Sequence, residues 1–310
     1  MKIIISPSLN PYFNLALEEV LFQKTNEDYI LLWRGSNSVV IGKNQNPFQE
    51  TNIDFLKENK IDLARRISGG GTVFHDEGNI NYTMIFNRKN AKFTEFHELM
   101  KPIVGFLKEK GVNTYITERN DMRYKDKKIS GTAQYTQKNR ILHHGTLLFN
   151  ANRSLLSKSL KCKNIPYESN CVKSVPSKVI NLRQVIKENI SVEGFILDLK
   201  EHLIKDFNGE AYELEESIVE EAILLKNNKY STWDWIIGYT PAFRILDNFT
   251  DGNHVIEYEL LIRKGRIKSI KIAVNGKALE TKHLIDKKYS EALICEASSN
   301  LVNKIIRKLV

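Results

Sequence analysis

Cysteine is scarce. The 310 residues hold three, Cys162, Cys171 and Cys295, with no Cys-x-x-Cys pair. That excludes a disulfide framework and removes the usual ligand spacing of a structural zinc site. Long apolar runs are also missing: Tyr29 to Trp33 and Ser38 to Ile41 fall far short of the ~20 residues of a membrane span. The N-terminal stretch has neither the apolar core nor the small-residue cleavage site of a secretory signal, so a cytoplasmic protein with no membrane partner is expected. Repeats and low-complexity tracts are absent, which sets solenoids and long linkers aside. Four familiar signatures are missing too: G-x-x-x-x-G-K-[ST], G-x-G-x-x-G, H-E-x-x-H and G-x-S-x-G. Any nucleotide chemistry must use some other cradle.

What is present is an ordinary globular composition, 42% hydrophobic and 27% charged, in a chain long enough for roughly two domains. Lys and Arg outnumber Asp and Glu by 46 to 37, a net charge of +9. This excess suits an anionic partner or a Lys-rich solvated surface. The basic runs, such as KDKK at 125–128 and RKGRIK at 263–268, lack the interleaved aromatics of a strand-binding groove, and no nucleic-acid partner is expected.

Periodicity predicts a helix over 14–24 capped by Asn14, strands at 29–34 and 38–41, and a hairpin whose strands are 72–75 and 80–86. Further on it predicts a helix over 94–110 stopped by Gly111, paired strands at 128–135 and 141–149, and a helix over 191–207. The tail reads as two strands between 255 and 274 and a closing helix over 290–309. The expected fold class is α+β, mostly antiparallel sheets with packed helices. The expected division is a catalytic domain, 1–245, and a small α+β accessory domain, 246–310.

Three segments stand out chemically. Arg66-Ile67-Ser68-Gly69-Gly70-Gly71-Thr72-Val73-Phe74-His75 runs bare backbone into a strand beside an arginine. Such a stretch can turn successive N–H groups towards an anion, with bidentate help from the guanidinium; a plain glycine turn is the competing reading. Lys128 precedes the small residues Ser130-Gly131-Thr132-Ala133, a placement that packing does not explain. His143-His144 lies on a predicted strand, where neighbours face opposite ways, so at most one histidine lines a given face.

RRISGGGTVFHDEGNINY (65–82), RND (119–121), KKISGTA (127–133) and HHGTLLFN (143–150) together resemble the lipoate–protein ligase family. Weaker segments, among them NPYFNLALEE (10–19), KSVPSKVINL (173–182) and TWDWIIGYTPAF (232–243), keep the family's order. The resemblance implies a biotin/lipoate-ligase-like fold and a two-step reaction. Lipoate and ATP, with Mg²⁺, would give lipoyl-AMP; the lipoyl group would then pass to a lysine of an apo lipoyl domain, on a 2-oxoacid dehydrogenase acyltransferase subunit or the glycine-cleavage carrier protein. It implies Lys128 as the catalytic cation. Arg66, Ser68, Gly69, Gly70, Gly71, Thr72, Val73, Phe74, His75, Asn79, Asn120, Asp121, Ala133 and His144 would bind ATP or lipoyl-AMP, and Asp121 would contact the metal. Val73, Tyr82 and Leu147 are expected around the dithiolane tail. The segment 161–178 resembles the family's mobile loop over the adenylate. Cys171 is a departure, since a related branch of amidotransferases uses a cysteine nucleophile and no ATP; a non-catalytic lipoyl-domain binder is the other alternative.

Overall fold

The computed structural model describes residues 1–24, 26–87, 96–162 and 165–289. The predicted closing helix over 290–309, the first two residues of the predicted helix over 94–110, and Cys295 lie outside the described residues.

The centre is a six-stranded mixed sheet in the order Thr132–Gln137, Arg140–Leu148, Asn79–Asn87, Tyr29–Arg34, Lys2–Ile5, Glu210–Ala211. Helices Phe96–Glu109 and Val192–Asp206 cover one face, burying Ile30, Leu32, Ile80, Tyr82 and Met84; Pro11–Lys24 and Glu216–Leu225 cover the other, burying Tyr29, Leu31, Trp33 and Ile85. Burial on both faces explains why Tyr29 to Trp33 reads as an unbroken apolar run. Each face is a continuous core, and the fold class is the α+β arrangement expected.

Four local expectations need correction. The first helix begins at Pro11, not at 14. Asn10 caps it, its Oδ1 accepting from the Phe13 N–H at 2.9 Å, and proline at the first helical position wastes no donor. Asn14 is instead fully buried, donating to the carbonyls of Ser8 and Arg34. Second, the strands Val73–His75 and Asn79–Asn87 do not pair as a hairpin. The first joins a three-stranded sheet with Ser38–Ile41 and Asp62–Arg65, and the second enters the central sheet. The tight turn is real, but it carries the chain between sheets. Third, Lys127–Ser130 and Thr132–Gln137 are separate strands broken at Gly131, and only the latter pairs with Arg140–Leu148. Fourth, residue 246 falls inside the strand Phe243–Asp251, so a cut there would split a paired element. That strand lies in a five-stranded antiparallel sheet with Tyr167–Ser169, His254–Arg263, Arg266–Val274 and Lys277–Ala278. Only one face of this sheet is buried, on Ile256, Tyr258, Leu260 and Ile262, which is why its alternation was readable.

The two histidines divide as strand geometry requires. His143 turns to the face under Phe96–Glu109, against the rings of Tyr82 and Phe96, and neither of its nitrogens has a partner. Burial depresses its pKa to about 3, and burial does the same for His75. The unfolded chain therefore binds more protons than the folded one between about pH 6.5 and 3, so stability is complete above that window and falls as pH drops through it. Each such histidine contributes a slope of up to ~1.4 kcal/mol per pH unit. His143→Phe removes one of the two without breaking a hydrogen bond. Urea unfolding between pH 7 and 4.5 should show a shallower acid loss for the variant; parallel curves would contradict this assignment.

Candidate active site

Two neighbouring cavities open beside the glycine segment. One, of about 300 Å³, is lined by Leu15, Trp33 and Val40, by His75 and Asn81, and by Glu18 and His144. The other, of about 540 Å³, is lined by Gln49, Glu50, Phe74, Leu148, Leu156 and Tyr167. Their common wall is formed by Thr72, Val73, Lys128, Gly131 and Thr146, with Lys173, Ser174, Val175 and Ser177. Lys128 thus stands where the contents of the two would meet.

Lys128 is positioned from both sides. Its backbone N–H donates to the Lys178 carbonyl at 2.8 Å and its carbonyl accepts from Ile180 at 3.1 Å, which stitches the strand Lys127–Ser130 to the segment after the wall. Its Nζ lies 2.7 Å from Asp121 Oδ1. A Cβ at Gly131 would come within 2.9 Å of the lysine's Cε and Nζ, so glycine there makes room for the side chain.

The glycine segment is held by a buried polar chain. Glu18, 1% exposed, accepts from Trp33 Nε1 at 3.1 Å and Thr83 Oγ1 at 2.5 Å, and its other oxygen meets His144 Nδ1 at 3.1 Å. With Nδ1–H donating to the carboxylate, Nε2 accepts from Ser68 Oγ at 2.6 Å. Ser68 in turn accepts from Arg66 Nε at 2.9 Å, and Arg66 Nη2 donates to the carbonyls of Gly69 and Gly71 at 2.5 and 2.7 Å. Burial lowers the Arg66 pKa to about 10, with Glu18 opposing the shift, so the guanidinium remains charged at neutral pH. Gly70 sits at φ +84°, where a side chain is strained, and a Cβ at Gly42 would come within 2.3 Å of the Gly70 carbonyl. Two glycines therefore let this backbone fold down against the neighbouring turn.

A strap crosses the cavities. Ser174 Oγ accepts from the Thr72 N–H at 2.8 Å and from Gln45 Nε2 at 3.1 Å, and it donates to the buried Glu50 carboxylate. It lies in the segment 161–178 that the resemblance marked as covering the site.

A family model, the lipoyl protein ligase A/B catalytic domain, matches residues 10–204. The chain belongs to the lipoate–protein ligase family. It is 32% identical over 307 residues to lipoate–protein ligase LplJ of Bacillus subtilis, spanning 96% of this chain and 93% of that one. To lipoate–protein ligase 1 of Staphylococcus aureus it is 33% identical over 277 residues, 88% and 84% of the two chains. A solved lipoate–protein ligase A bound with ATP superposes with a TM-score of 0.65 at 25% identity, over 76% of this chain and 97% of that one. LipL1 of P. falciparum in complex with lipoate matches over 100% and 99% of the chains at 25% identity, with a TM-score of 0.64.

Set beside the family motifs, the structure brings Arg66, Gly70, Gly71, Thr72, Val73, His75, Asp121, Lys128, Ala133 and His144 to the first cavity and Phe74 to the second. Ser68 is fully buried and acts through Arg66 and His144. Gly69 contributes its carbonyl to Arg66. Asn79 faces Asn81, donating to its Oδ1 at 3.0 Å. Asn120 has φ +60° in a turn, and its carbonyl accepts from Thr132. None of these four lines either cavity. Tyr82 and Leu147 belong to the opposite core face, so of the three residues expected around the acyl tail only Val73 is at the site. Sequence reasoning did not single out Glu18, Trp33, Asn81 or Glu50, and it covered Ser174 only within the segment 161–178. For Glu18 a signal was available, the acidic pair Glu18-Glu19 in a largely apolar helix.

Among the described residues no three His, Cys, Asp or Glu side chains converge on a metal position. The Asp121 oxygens face Lys128 at 2.7 Å and Arg123 at 3.7 Å. These residues form no protein cage for Mg²⁺; the ion would arrive on the triphosphate, which suits its usual coordination by phosphates and water. No helix among the described residues is long and apolar enough to cross a membrane.

Cys171 is buried, lines neither cavity, and has its thiol pKa pushed up by burial. Cys162 lines the second cavity, but burial raises it to about 11. Neither is a poised thiolate. Cys171→Ala should therefore leave ATP-dependent acyl transfer within about twofold of the parent; a loss of tenfold or more in steady-state transfer would reinstate the thioester mechanism.

Proposed function

We infer that this chain is an ATP-dependent lipoate–protein ligase whose smaller cavity takes the acyl chain and whose larger one takes the nucleotide. The carrying observation is the position of Lys128 in the wall common to both. A carboxylate repels an incoming phosphate and is a poor acyl donor. Linking it to AMP with loss of pyrophosphate makes a mixed anhydride, from which a lysine amine can displace AMP. The protein is asked mainly for position and charge. Lys128 Nζ would lie between the carboxylate and the α-phosphate, offsetting their repulsion as they meet, with Asp121 holding the ammonium in place until substrate arrives. Arg66 fixes the Gly69–Gly71 backbone so that its unused N–H groups face the intermediate. The strap through Ser174 would then exclude water, which otherwise hydrolyses the anhydride. Mg²⁺ accompanies ATP in this reading and has no protein cage.

The acceptor we propose is an apo lipoyl domain, of an acyltransferase subunit or of the glycine-cleavage carrier, in the cytoplasm where ATP is available. We also keep a two-part division of the chain, with the accessory unit beginning before Phe243 rather than at 246. Intact-mass measurement of apo carriers incubated with protein, lipoate and ATP tests the proposal. One added lipoyl group per carrier, dependent on ATP, is the expected result. Carriers left unmodified, with no lipoyl-AMP formed, would overturn it in favour of a non-catalytic binder.

A further inference from the structure

The acyl cavity contains polar groups that nothing in the protein satisfies. Asn81 is 3% exposed and lines this cavity. Its Oδ1 accepts from Asn79, which leaves Nδ2 without a partner. His75 is equally buried, and neither of its ring nitrogens has a partner; with its pKa near 3 it stays neutral. Its ring meets that of Trp33 with centroids 5.2 Å apart at 52°. Trp33, Asn81 and His75 line this cavity and not the nucleotide one. Cross-strand pairing explains the layout. Asn81 lies between Trp33 and Thr146 in one row across the sheet, and Thr146 belongs to the common wall. Strands are about 4.8 Å apart, so this row runs roughly 10 Å from the wall to Trp33. The site is thus graded: charge at Lys128, then a row with a spare N–H donor at its middle and an aromatic corner at its end.

We propose that Asn81, with the Trp33–His75 corner, selects an acyl chain ending in a sulfur-containing ring over a plain alkyl chain of the same length. This rests on the ligase reading above and deepens it. A saturated alkyl end offers Asn81 Nδ2 no acceptor, and so strands a buried donor that water could otherwise reach. A dithiolane sulfur is a weak acceptor and is polarisable, and sulfur favours the edges of aromatic rings at about 5 Å. Both features favour sulfur where an alkyl end would place CH₂ and CH₃. Neither requires a change at the carboxylate end, so discrimination should appear mainly in KM.

The test compares ATP-dependent pyrophosphate release with lipoate and with octanoate, for the parent protein and for Asn81→Leu and Asn81→Ser. The parent should favour lipoate in kcat/KM. Asn81→Leu should lower the lipoate-to-octanoate ratio about tenfold, equivalent to about 1.4 kcal/mol, through KM and with kcat within threefold. Asn81→Ser, smaller and still polar, should lie between them, and it keeps the test usable if leucine perturbs folding. An unchanged ratio in both variants, with lipoate turnover retained, would overturn the proposal while leaving the ligase reading intact. A parent protein that adenylates neither acid would overturn both.

Discussion

Lys128→Ala should reduce lipoyl-AMP synthesis by roughly 10²–10³-fold, the range seen when one preorganised charge-stabilising group is removed from a reaction centre. The lysine's side chain is 25% exposed and belongs to none of the hydrophobic cores, so the melting temperature should change little. Stopped assays for pyrophosphate and for the acyl adenylate measure the first step directly, apart from transfer. Lys128→Arg should rescue poorly, because a planar fork does not replace a point charge packed over Gly131. Gly131→Ala offers an independent check. It leaves every charge in place, yet its methyl would come within 2.9 Å of the lysine's Cε and Nζ, and it too should slow adenylation. Synthesis within threefold of the parent in Lys128→Ala would mean that the reaction centre lies elsewhere.

The largest expected effect on stability belongs to the adjacent arginine of the glycine segment. Arg65 is fully buried. It donates to the carbonyls of Gly42, Lys43 and Gln45 on one side and to those of Trp235 and Ile236 and the hydroxyl of Thr240 on the other. One guanidinium thereby fastens the turn that supports Gly70 to the segment leading into the five-stranded sheet. Burial lowers its pKa to about 10, which leaves it cationic at neutral pH. Arg65→Ala strands several buried carbonyls and opens a cavity, at a cost of roughly 3–5 kcal/mol. For a chain of this size that corresponds to a fall of about 5–8 °C in melting temperature. Arg65→Lys should recover little, since one ammonium cannot reach both sets of acceptors. A melting point within 2 °C of the parent, read by calorimetry, would show that these bonds add nothing net.

The twin arginines also show where reading from sequence stops. Residues 65 and 66 point to different neighbourhoods: Arg65 to carbonyls of distant turns, Arg66 to the glycine segment and Ser68. No local pattern distinguishes a structural guanidinium from one at the site, because its partners lie as far as 175 residues away in the chain. The same holds for Glu18, which reaches His144 across 126 residues. By contrast, the split between His143 and His144 followed from strand alternation alone, and the capped helix starting at Ser191 was legible in its own residues.

By itself the sequence determined the family, the α+β class, and most of the cavity-lining glycine and lysine segments. Those features are written in contiguous residues, where spacing and side-chain chemistry act over a few bonds. Tertiary structure alone decided that the strands 73–75 and 79–87 serve different sheets, that Lys128 stands in a wall between two cavities, and that Asn81 lines the smaller cavity with an unused donor. These depend on which strands become neighbours, and that is settled by burying both faces of one sheet at once rather than by any single segment's preference.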